Sequence, residues 1–275
     1  MRVKLSLGLI LVGAVLACSG EPETTAPELP PTPPPPAVLL KEVVVPNLPS
    51  PYYHFEYDAA GRVRMASFAS GFTNYEVTYD GERIREITNN TAGNQDRLEY
   101  SYDPAGRVGA IAYVHPDGTI YVIVSLSYGG QHLTALERKR KIDFDFVTEK
   151  AMSFSYYPDG NLLEIVAHRP PIAGRQDEAT TVDRFEQYDD KINVDGFSLL
   201  HDEFFDHLVL LPGVRLQKGN PGREIFSGGG SNYLVDYTYA YDEKDRPLTK
   251  NGALVFTSGP DAGQRFQTSS AFSYY

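Results

Sequence analysis

The chain has 275 residues and a formal net charge of −11, with 19 Tyr and 14 Phe but no Trp. This length allows one or two domains with a sizeable core, and the aromatic usage favours strands. The negative charge disfavours nucleic acid as a partner, and one Cys excludes a disulfide framework or a cysteine-based metal site.

The first 18 residues resemble a bacterial lipoprotein signal. A basic start is followed by an apolar stretch over residues 5–17, which is too short to span a bilayer as a helix. The stretch ends Val15-Leu16-Ala17-Cys18, similar to the lipobox that signal peptidase II cuts before a diacylated cysteine. Ser19 follows, which resembles the outer-membrane sorting signal of such lipoproteins. We predict a signal peptide over 1–17 and a lipid anchor at Cys18; the alternative is an ordinary secretory signal with an incidental Cys18.

A proline-rich segment follows the predicted anchor. It contains Pro30-Pro31-Thr32-Pro33-Pro34-Pro35-Pro36, and prolines cannot donate hydrogen bonds to a sheet. We therefore predict an extended, semi-rigid linker over residues 18–51, which holds a folded domain over 52–275 away from a membrane.

A Tyr-Asp-x-x-Gly-Arg motif, here called the Tyr–Asp motif, recurs in the predicted domain. Apolar and polar residues alternate before each copy, which is typical of a strand with one buried face. Asp suits the first position of a type I turn and Gly the last, so the motif predicts a hairpin reversal rather than a catalytic acid. The two complete copies supply the predicted turn residues Tyr57, Asp58, Gly61, Arg62, Tyr102, Asp103, Gly106 and Arg107.

Weaker copies of the motif begin at Tyr79, Tyr157 and Tyr241. Residues 197–211 break this pattern with near-helical apolar spacing that ends at Pro212-Gly213. We predict an all-β antiparallel meander that forms a long curved sheet or partly closed barrel. One short helix near 197–211 is expected to plug or cap it.

These motifs resemble the YD repeats of Rhs-type proteins. The match is closer to a Bacteroidetes-type lipoprotein family of unknown function with a porin-like β fold. The resemblance covers roughly residues 52–275 and includes Tyr188-Asp189-Asp190-Lys191 and Tyr239-Ala240-Tyr241-Asp242 in that order. The resemblance brings no catalytic residues, and the location that we predict, outer membrane or cell surface, rests on the lipobox and Ser19.

Chemical motifs are sparse. His201 and His207, with Asp202, Glu203 and Asp206, form the one His–carboxylate cluster, but the two His would not share a helix face. A zinc site is therefore disfavoured, and no cofactor is predicted. The sequence also lacks a Gly-x-Ser-x-Gly nucleophile elbow and a phosphate-binding loop.

The leading hypothesis is a non-enzymatic, surface-anchored lipoprotein that acts as a scaffold or binding module for a glycan or protein partner. One alternative is a porin-like outer-membrane barrel. Such a barrel needs an uninterrupted apolar band on its outer face, and this requirement argues against the alternative. The other is a hydrolase with an unrecognised carboxylate pair. The sequence does not indicate which residues bind the partner.

Overall fold

The computed structural model describes residues 38–91, 93–201, 208–230 and 232–275. In this part of the chain, sixteen strands follow one another with a single short 3₁₀ turn at Gly196–Leu200. The strands are β1 (Leu40–Val44), β2 (Tyr53–Tyr57), β3 (Val63–Phe68), β4 (Thr73–Asp80), β5 (Arg83–Asn89), β6 (Arg97–Tyr102), β7 (Val108–Val114), β8 (Ile120–Gly129), β9 (His132–Ile142), β10 (Asp145–Tyr156), β11 (Leu162–Arg169), β12 (Ala179–Glu186), β13 (Arg223–Gly228), β14 (Asn232–Tyr241), β15 (Pro247–Ser258) and β16 (Arg265–Tyr274).

The strands form a closed antiparallel barrel. Each strand pairs with its neighbours along the chain, and β1 pairs with β16 through Val43 and Phe272. The predicted all-β antiparallel meander is confirmed, and the sheet closes completely. Closure removes the free edges that an open sheet of this length would expose.

Strand β1 lies inside the segment predicted as a linker. Leu40–Val44 pairs with both β16 and β2, so the predicted linker range 18–51 is wrong at its C-terminal end. The proline run ends before this strand, and Leu40 and Val43 supply apolar side chains that are buried. The predicted signal peptide, Cys18 and the proline run lie outside the described residues.

Most strands bury an apolar face and expose a polar face. In β4, Tyr75 and Val77 are buried, whereas Glu76 between them is exposed. The outward face carries ion pairs between and along strands, for example Arg97–Glu99 at 2.8 Å and Arg223–Asp236 at 2.7 Å. Others are Glu137–Lys139 at 3.2 Å and Arg184–Glu186 at 3.1 Å.

The described residues of the segment that joins β12 to β13, 187–201 and 208–222, fold into the barrel; we call them the plug. The Phe197 ring lies 5.1 Å from the Tyr53 ring and 5.2 Å from the Phe55 ring, both on β2. The Leu210 N–H donates to the Tyr100 hydroxyl of β6 at 3.2 Å. Because these partners belong to the buried faces of strands distant from β12 and β13, the plug lies in the barrel interior.

The helix predicted near 197–211 is reduced to the 3₁₀ turn Gly196–Leu200. Residues 202–207 lie outside the described part of the chain, and residues 208–211 have irregular backbone. Leu208 and Val209 are nevertheless buried, so the apolar residues that suggested a helix serve to pack the plug. Within the described residues, no helix has the length and hydropathy needed to cross a membrane.

Candidate functional site

The Tyr–Asp motifs form turns at one end of the barrel. The Asp58 carboxylate accepts the backbone N–H groups of Ala60 and Arg62 at 2.9 and 3.0 Å and the Arg62 Nε at 2.8 Å. Gly61 has φ +77°, which favours glycine. Asp103 binds Arg107 in the same way. Hydrogen bonds from the arginines lower the pKa of Asp58 and of Asp103, so each acid is ionised and engaged within its own turn.

Tyrosines at this end of the barrel tie neighbouring strands together. Each tyrosine lies at or just after the end of one strand, and its hydroxyl donates to a carbonyl at the start of the strand before it. Burial raises the pKa of Tyr57 and of Tyr79 to about 12, so these hydroxyls remain protonated donors. We call this set the tyrosine belt; its bonds are Tyr57 to Leu40 (2.8 Å), Tyr79 to Val63 (2.8 Å), Tyr102 to Ile84 (2.7 Å), Tyr128 to Val108 (2.9 Å), Tyr156 to Leu133 (2.8 Å), Tyr188 to Leu162 (2.7 Å) and Tyr274 to Pro247 (2.6 Å).

The weaker motif predicted to begin at Tyr157 is shifted by one residue. The Tyr157 N–H donates to the Asn161 carbonyl at 2.8 Å, as the Asp58 N–H does to the Arg62 carbonyl. Tyr157 thus takes the Asp position and Tyr156 joins the belt. The complete motifs place Gly four residues after Tyr, as in Tyr57 and Gly61, and Tyr156 and Gly160 have this spacing, so the sequence did contain the signal for the correct frame.

The belt is modified where the plug enters. Tyr241, at the end of β14, donates to the Asp189 carboxylate of the plug instead of to a strand carbonyl. Asn161 accepts the backbone N–H groups of Lys218 and Gly219 at 2.9 and 3.0 Å. Both ends of the plug are therefore fixed to the motif end of the barrel.

Strands β12 to β16 present polar side chains to the plug. The Lys250 Nζ lies 3.0 Å from the Asp195 Oδ2, which joins the barrel wall to the plug. It also lies 4.5 Å from the centroid of the Tyr237 ring. The Tyr237 hydroxyl donates to the Glu224 Oε2 at 2.6 Å. A polar chain thus runs from the plug into the wall.

A buried acid pair lies at the end of this chain. Asp183 hydrogen bonds to Glu224, and burial together with the Glu224 charge raises the pKa of Asp183 to about 8. The two carboxyls therefore hold a proton between them at neutral pH. Tyr233 and Tyr237 both donate to Glu224, at 3.3 and 2.6 Å, and so stabilise the charge on that residue.

A second polar group lies inside the barrel on β9 and β10. Glu149 accepts from Arg140 at 2.8 Å, and Arg138 lies 3.1 Å from its other oxygen. Arg138 and the adjacent Lys150 are buried. These charges compensate one another in part, as buried charges require.

A cavity of about 350 Å³ lies between the plug and strands β1, β2, β14, β15 and β16. The Asp195–Lys250 pair and the Tyr237 ring form one side of the cavity. Tyr53 and His201 form another side, where the Tyr53 hydroxyl is hydrogen bonded to the His201 Nδ1 at 2.8 Å. An added Cβ at Gly252 would be 2.4 Å from the Thr268 Oγ1, 2.8 Å from the Val235 Cγ1 and 3.0 Å from the Tyr237 ring. Glycine is thus needed here for the close approach of side chains from β14 and β16 to the strand.

A more apolar cavity of about 430 Å³ lies at the motif end. It is bounded by Arg62 and Tyr79 of the barrel and by residues 210–212 of the plug. The Arg62 guanidinium stacks 4.4 Å from the Tyr79 ring centroid and donates to the Gly81 carbonyl at 2.6 Å. Arg62 is thus fixed by several contacts within the barrel wall.

The predicted His–carboxylate cluster is only partly described. His201 packs against Tyr53, and Asp202, Glu203, Asp206 and His207 lie outside the described residues. Among the residues that the structure covers, no group of three or more His, Cys, Asp or Glu is placed to hold a metal ion.

Sequence reasoning missed Asp195, Tyr237 and Lys250. Lys250 lies at an inward position of β15, opposite Tyr239, between the outward Thr249 and Asn251. A lysine at an inward position of an alternating strand was the one signal in the sequence that pointed to a polar site inside the barrel. Its partner is 55 residues away, so the pairing itself had no sequence signature.

Comparison with known proteins identifies the fold. No protein-family model and no curated protein matches the chain. A solved porin-like protein from Bacteroides uniformis ATCC 8492 matches with a TM-score of 0.57 at 13% identity, covering 86% of this chain and 95% of the other. A porin-like protein from Bacteroides vulgatus ATCC 8482 matches with a TM-score of 0.57 at 14% identity, covering 86% and 99%. The chain therefore has a porin-like β-barrel fold, as the resemblance noted in the sequence implied.

Proposed function

We propose that the chain is a non-enzymatic, lipid-anchored scaffold or binding module at the outer membrane or cell surface, with a glycan or protein as its partner. The observation that carries this proposal is the polarity of the barrel. The apolar core, the plug and a few paired polar groups such as Asp195–Lys250 occupy the interior, and ion pairs such as Arg97–Glu99 lie on the outside.

A membrane-spanning barrel requires the opposite arrangement. Its outer face needs an apolar band about 25 Å tall, and a basic side chain facing lipid at the midplane costs about 2–4 kcal/mol. Outward charges on β6, β9, β12 and β13 interrupt such a band here. The charged outer face favours contact with water.

The barrel polarity can be tested with a chain that lacks residues 1–36, since β1 begins at Leu40. We expect a soluble monomer in buffer without detergent, measured by light scattering after size-exclusion chromatography. Insolubility that detergent cures would contradict the proposal.

The lipid anchor has a separate test. A Cys18→Ala variant should leave the membrane fraction, because diacylation is the anchoring step and each buried methylene contributes about 0.8 kcal/mol. Unchanged membrane fractionation, measured by immunoblot beside the parent chain, would contradict the anchor.

A pore is the second candidate function, because the two solved neighbours are described as porin-like proteins. Planar-bilayer recording with the full chain distinguishes it. Under the binding proposal no stepwise conductance is expected, because the plug and the buried side chains occupy the interior. Reproducible channels would favour the pore.

A further inference from the structure

The cavity between the plug and β14 to β16 carries balanced charges. Lys250 and Asp195 face each other at 3.0 Å, and their side chains remain 22% and 17% exposed. The pair offers ammonium donors and carboxylate acceptors but no net charge. An anionic or cationic ligand would disturb the pair, whereas a neutral polar ligand can bond to both.

Hydroxyl and aromatic groups surround the same pair. Ser198 and Ser270 add small hydroxyls, and Tyr52 and Tyr53 add larger ones. Phe197 meets Tyr53 edge to face and completes an aromatic wall. Aromatic faces beside several hydroxyls match a ligand that has one apolar face and many hydroxyls, as a sugar ring has.

Size and access limit the ligand further. A volume of about 350 Å³ lies at the lower end of the range of about 300–1,000 Å³ that is typical of small-molecule sites. Thr268 lines the cavity and is exposed, so the cavity communicates with solvent. Thr268 and Tyr52 lie at the ends of β16 and β2 that are remote from the tyrosine belt, and access is therefore from the end opposite the Tyr–Asp turns.

We infer that this cavity binds a neutral, hydroxyl-rich ligand the size of one sugar ring, either free or as the terminal residue of a glycan. The inference rests on the proposed binding function and assigns its site. Asp195 and Lys250 would bond the ligand hydroxyls, and Tyr53 and Phe197 would cover its apolar face.

The first experiment presents neutral glycans on an array to the full chain in a polyoxyethylene detergent, which carries no sugar. Free neutral monosaccharides are then titrated by calorimetry. Binding to both probes indicates that a single ring suffices, and binding to the array alone indicates a glycan terminus. Absence of binding to either probe, with a cooperative thermal melt, overturns the inference.

Variants of the cavity residues test where the site lies, with the sugar that binds in the first experiment as the probe. Asp195→Asn combined with Lys250→Gln removes both charges together, so neither is left unpaired, and should weaken binding at least tenfold. Thr268→Val removes one exposed hydroxyl and should weaken binding several-fold. Thr238→Val is the matched control, because Thr238 is exposed on the outward face of β14, and should leave affinity unchanged.

Thermal melts of each variant without ligand establish that the barrel still folds. Unchanged affinity in a folded Asp195→Asn/Lys250→Gln variant would overturn the assignment of the site. A soluble, non-conducting protein that ignores all sugars but binds a protein partner would overturn this inference and leave the proposed function standing. Channel formation in bilayers would instead contradict the proposed function itself.

Discussion

Arg107 contacts three parts of the barrel at once. Its Nε donates to Asp103 at 2.8 Å, its Nη1 donates to the Gly130 carbonyl of the next turn at 2.6 Å, and its guanidinium lies 4.5 Å from the Tyr128 ring centroid. A planar guanidinium can make these contacts together, and a lysine ammonium cannot. The Arg of the motif therefore connects one turn to the next.

The ionised turn acids make stability depend on pH. The pKa of Asp103 is held below its ordinary value by hydrogen bonds from Arg107. Its contribution is therefore present above about pH 4, the unfolded-state pKa, and is lost as pH falls through the lowered folded-state pKa. Asp103→Asn should unfold at a lower temperature than the parent chain at pH 7, with the gap closing toward about pH 2.

Calorimetric melts at several pH values measure this gap. Asp145→Asn, at an exposed hairpin tip, is the matched control and should show no such pH dependence. A gap that stays constant from pH 7 to pH 2 would contradict a role for the ionised carboxylate.

The tyrosine belt predicts a measurable loss from a single hydroxyl. Tyr102→Phe removes the 2.7 Å bond to the Ile84 carbonyl while keeping the buried ring. A lost bond of this kind costs about 1 kcal/mol of unfolding free energy. Urea unfolding measures it, with Tyr275→Phe as control, because Tyr275 is 61% exposed and its bond to Phe55 is long at 3.2 Å. Equal losses of unfolding free energy in Tyr102→Phe and Tyr275→Phe would contradict a stabilising role for the belt hydroxyls.

The acid pair of Asp183 on β12 and Glu224 on β13 makes stability depend on pH in the opposite direction to the turn acids. The folded-state pKa of Asp183 is raised to about 8 by burial and Glu224. Its favourable contribution is therefore complete below about pH 4 and is lost as pH rises to about 8. Asp183→Asn should make unfolding less sensitive to pH between 5 and 9.

Urea midpoints at pH 5 and pH 9 test the acid pair. The parent chain should lose more stability over this interval than Asp183→Asn does. Identical losses would show that the pair does not share a proton in solution. Asp236→Asn, at an exposed position on β14, provides the control for a carboxylate on the outer face.

The plug depends on aromatic packing as well as on hydrogen bonds. Phe197→Ala removes the contacts with Tyr53 and Phe55, at a cost of about 3 kcal/mol. Hydrogen exchange at the Leu210 amide, which bonds Tyr100, should also accelerate. Phe144→Ala is the control, since Phe144 is 95% exposed. Protection of Leu210 that is unchanged in Phe197→Ala would show that the two parts of the plug are independent.

For the whole molecule, local patterns in the sequence were sufficient to predict most strands and turns, although not strand β1 or the frame of the turn after Tyr156. Alternation at Tyr75 and Val77 and the Asp58–Gly61 turn both depend on neighbours in the chain. Closure of the barrel and the site at Lys250 could not be predicted in this way. They depend on partners such as Phe272 for Val43 and Asp195 for Lys250, which are brought together only by the complete barrel.

Closure predicts the effect of removing the last strand. A chain that ends at Ser258 lacks β16 and leaves both β1 and β15 without a partner. Two free edges promote association, so the shortened chain should aggregate where the parent chain is monodisperse. Light scattering measures this, with a chain lacking residues 1–36 as the control. A monodisperse shortened chain would show that the remaining strands close without β16.

The pairing of β1 with β16 also has a consequence for the order in which the chain folds. Hairpins such as β2–β3 can form as soon as they are synthesised, because their two strands are close in sequence. Strand β1 can pair with β2 early, but it meets its second partner only when the last residues emerge. The barrel therefore cannot close before residues 265–274 are available, and the pairing of β1 with β16 is the contact of greatest sequence separation in the sheet.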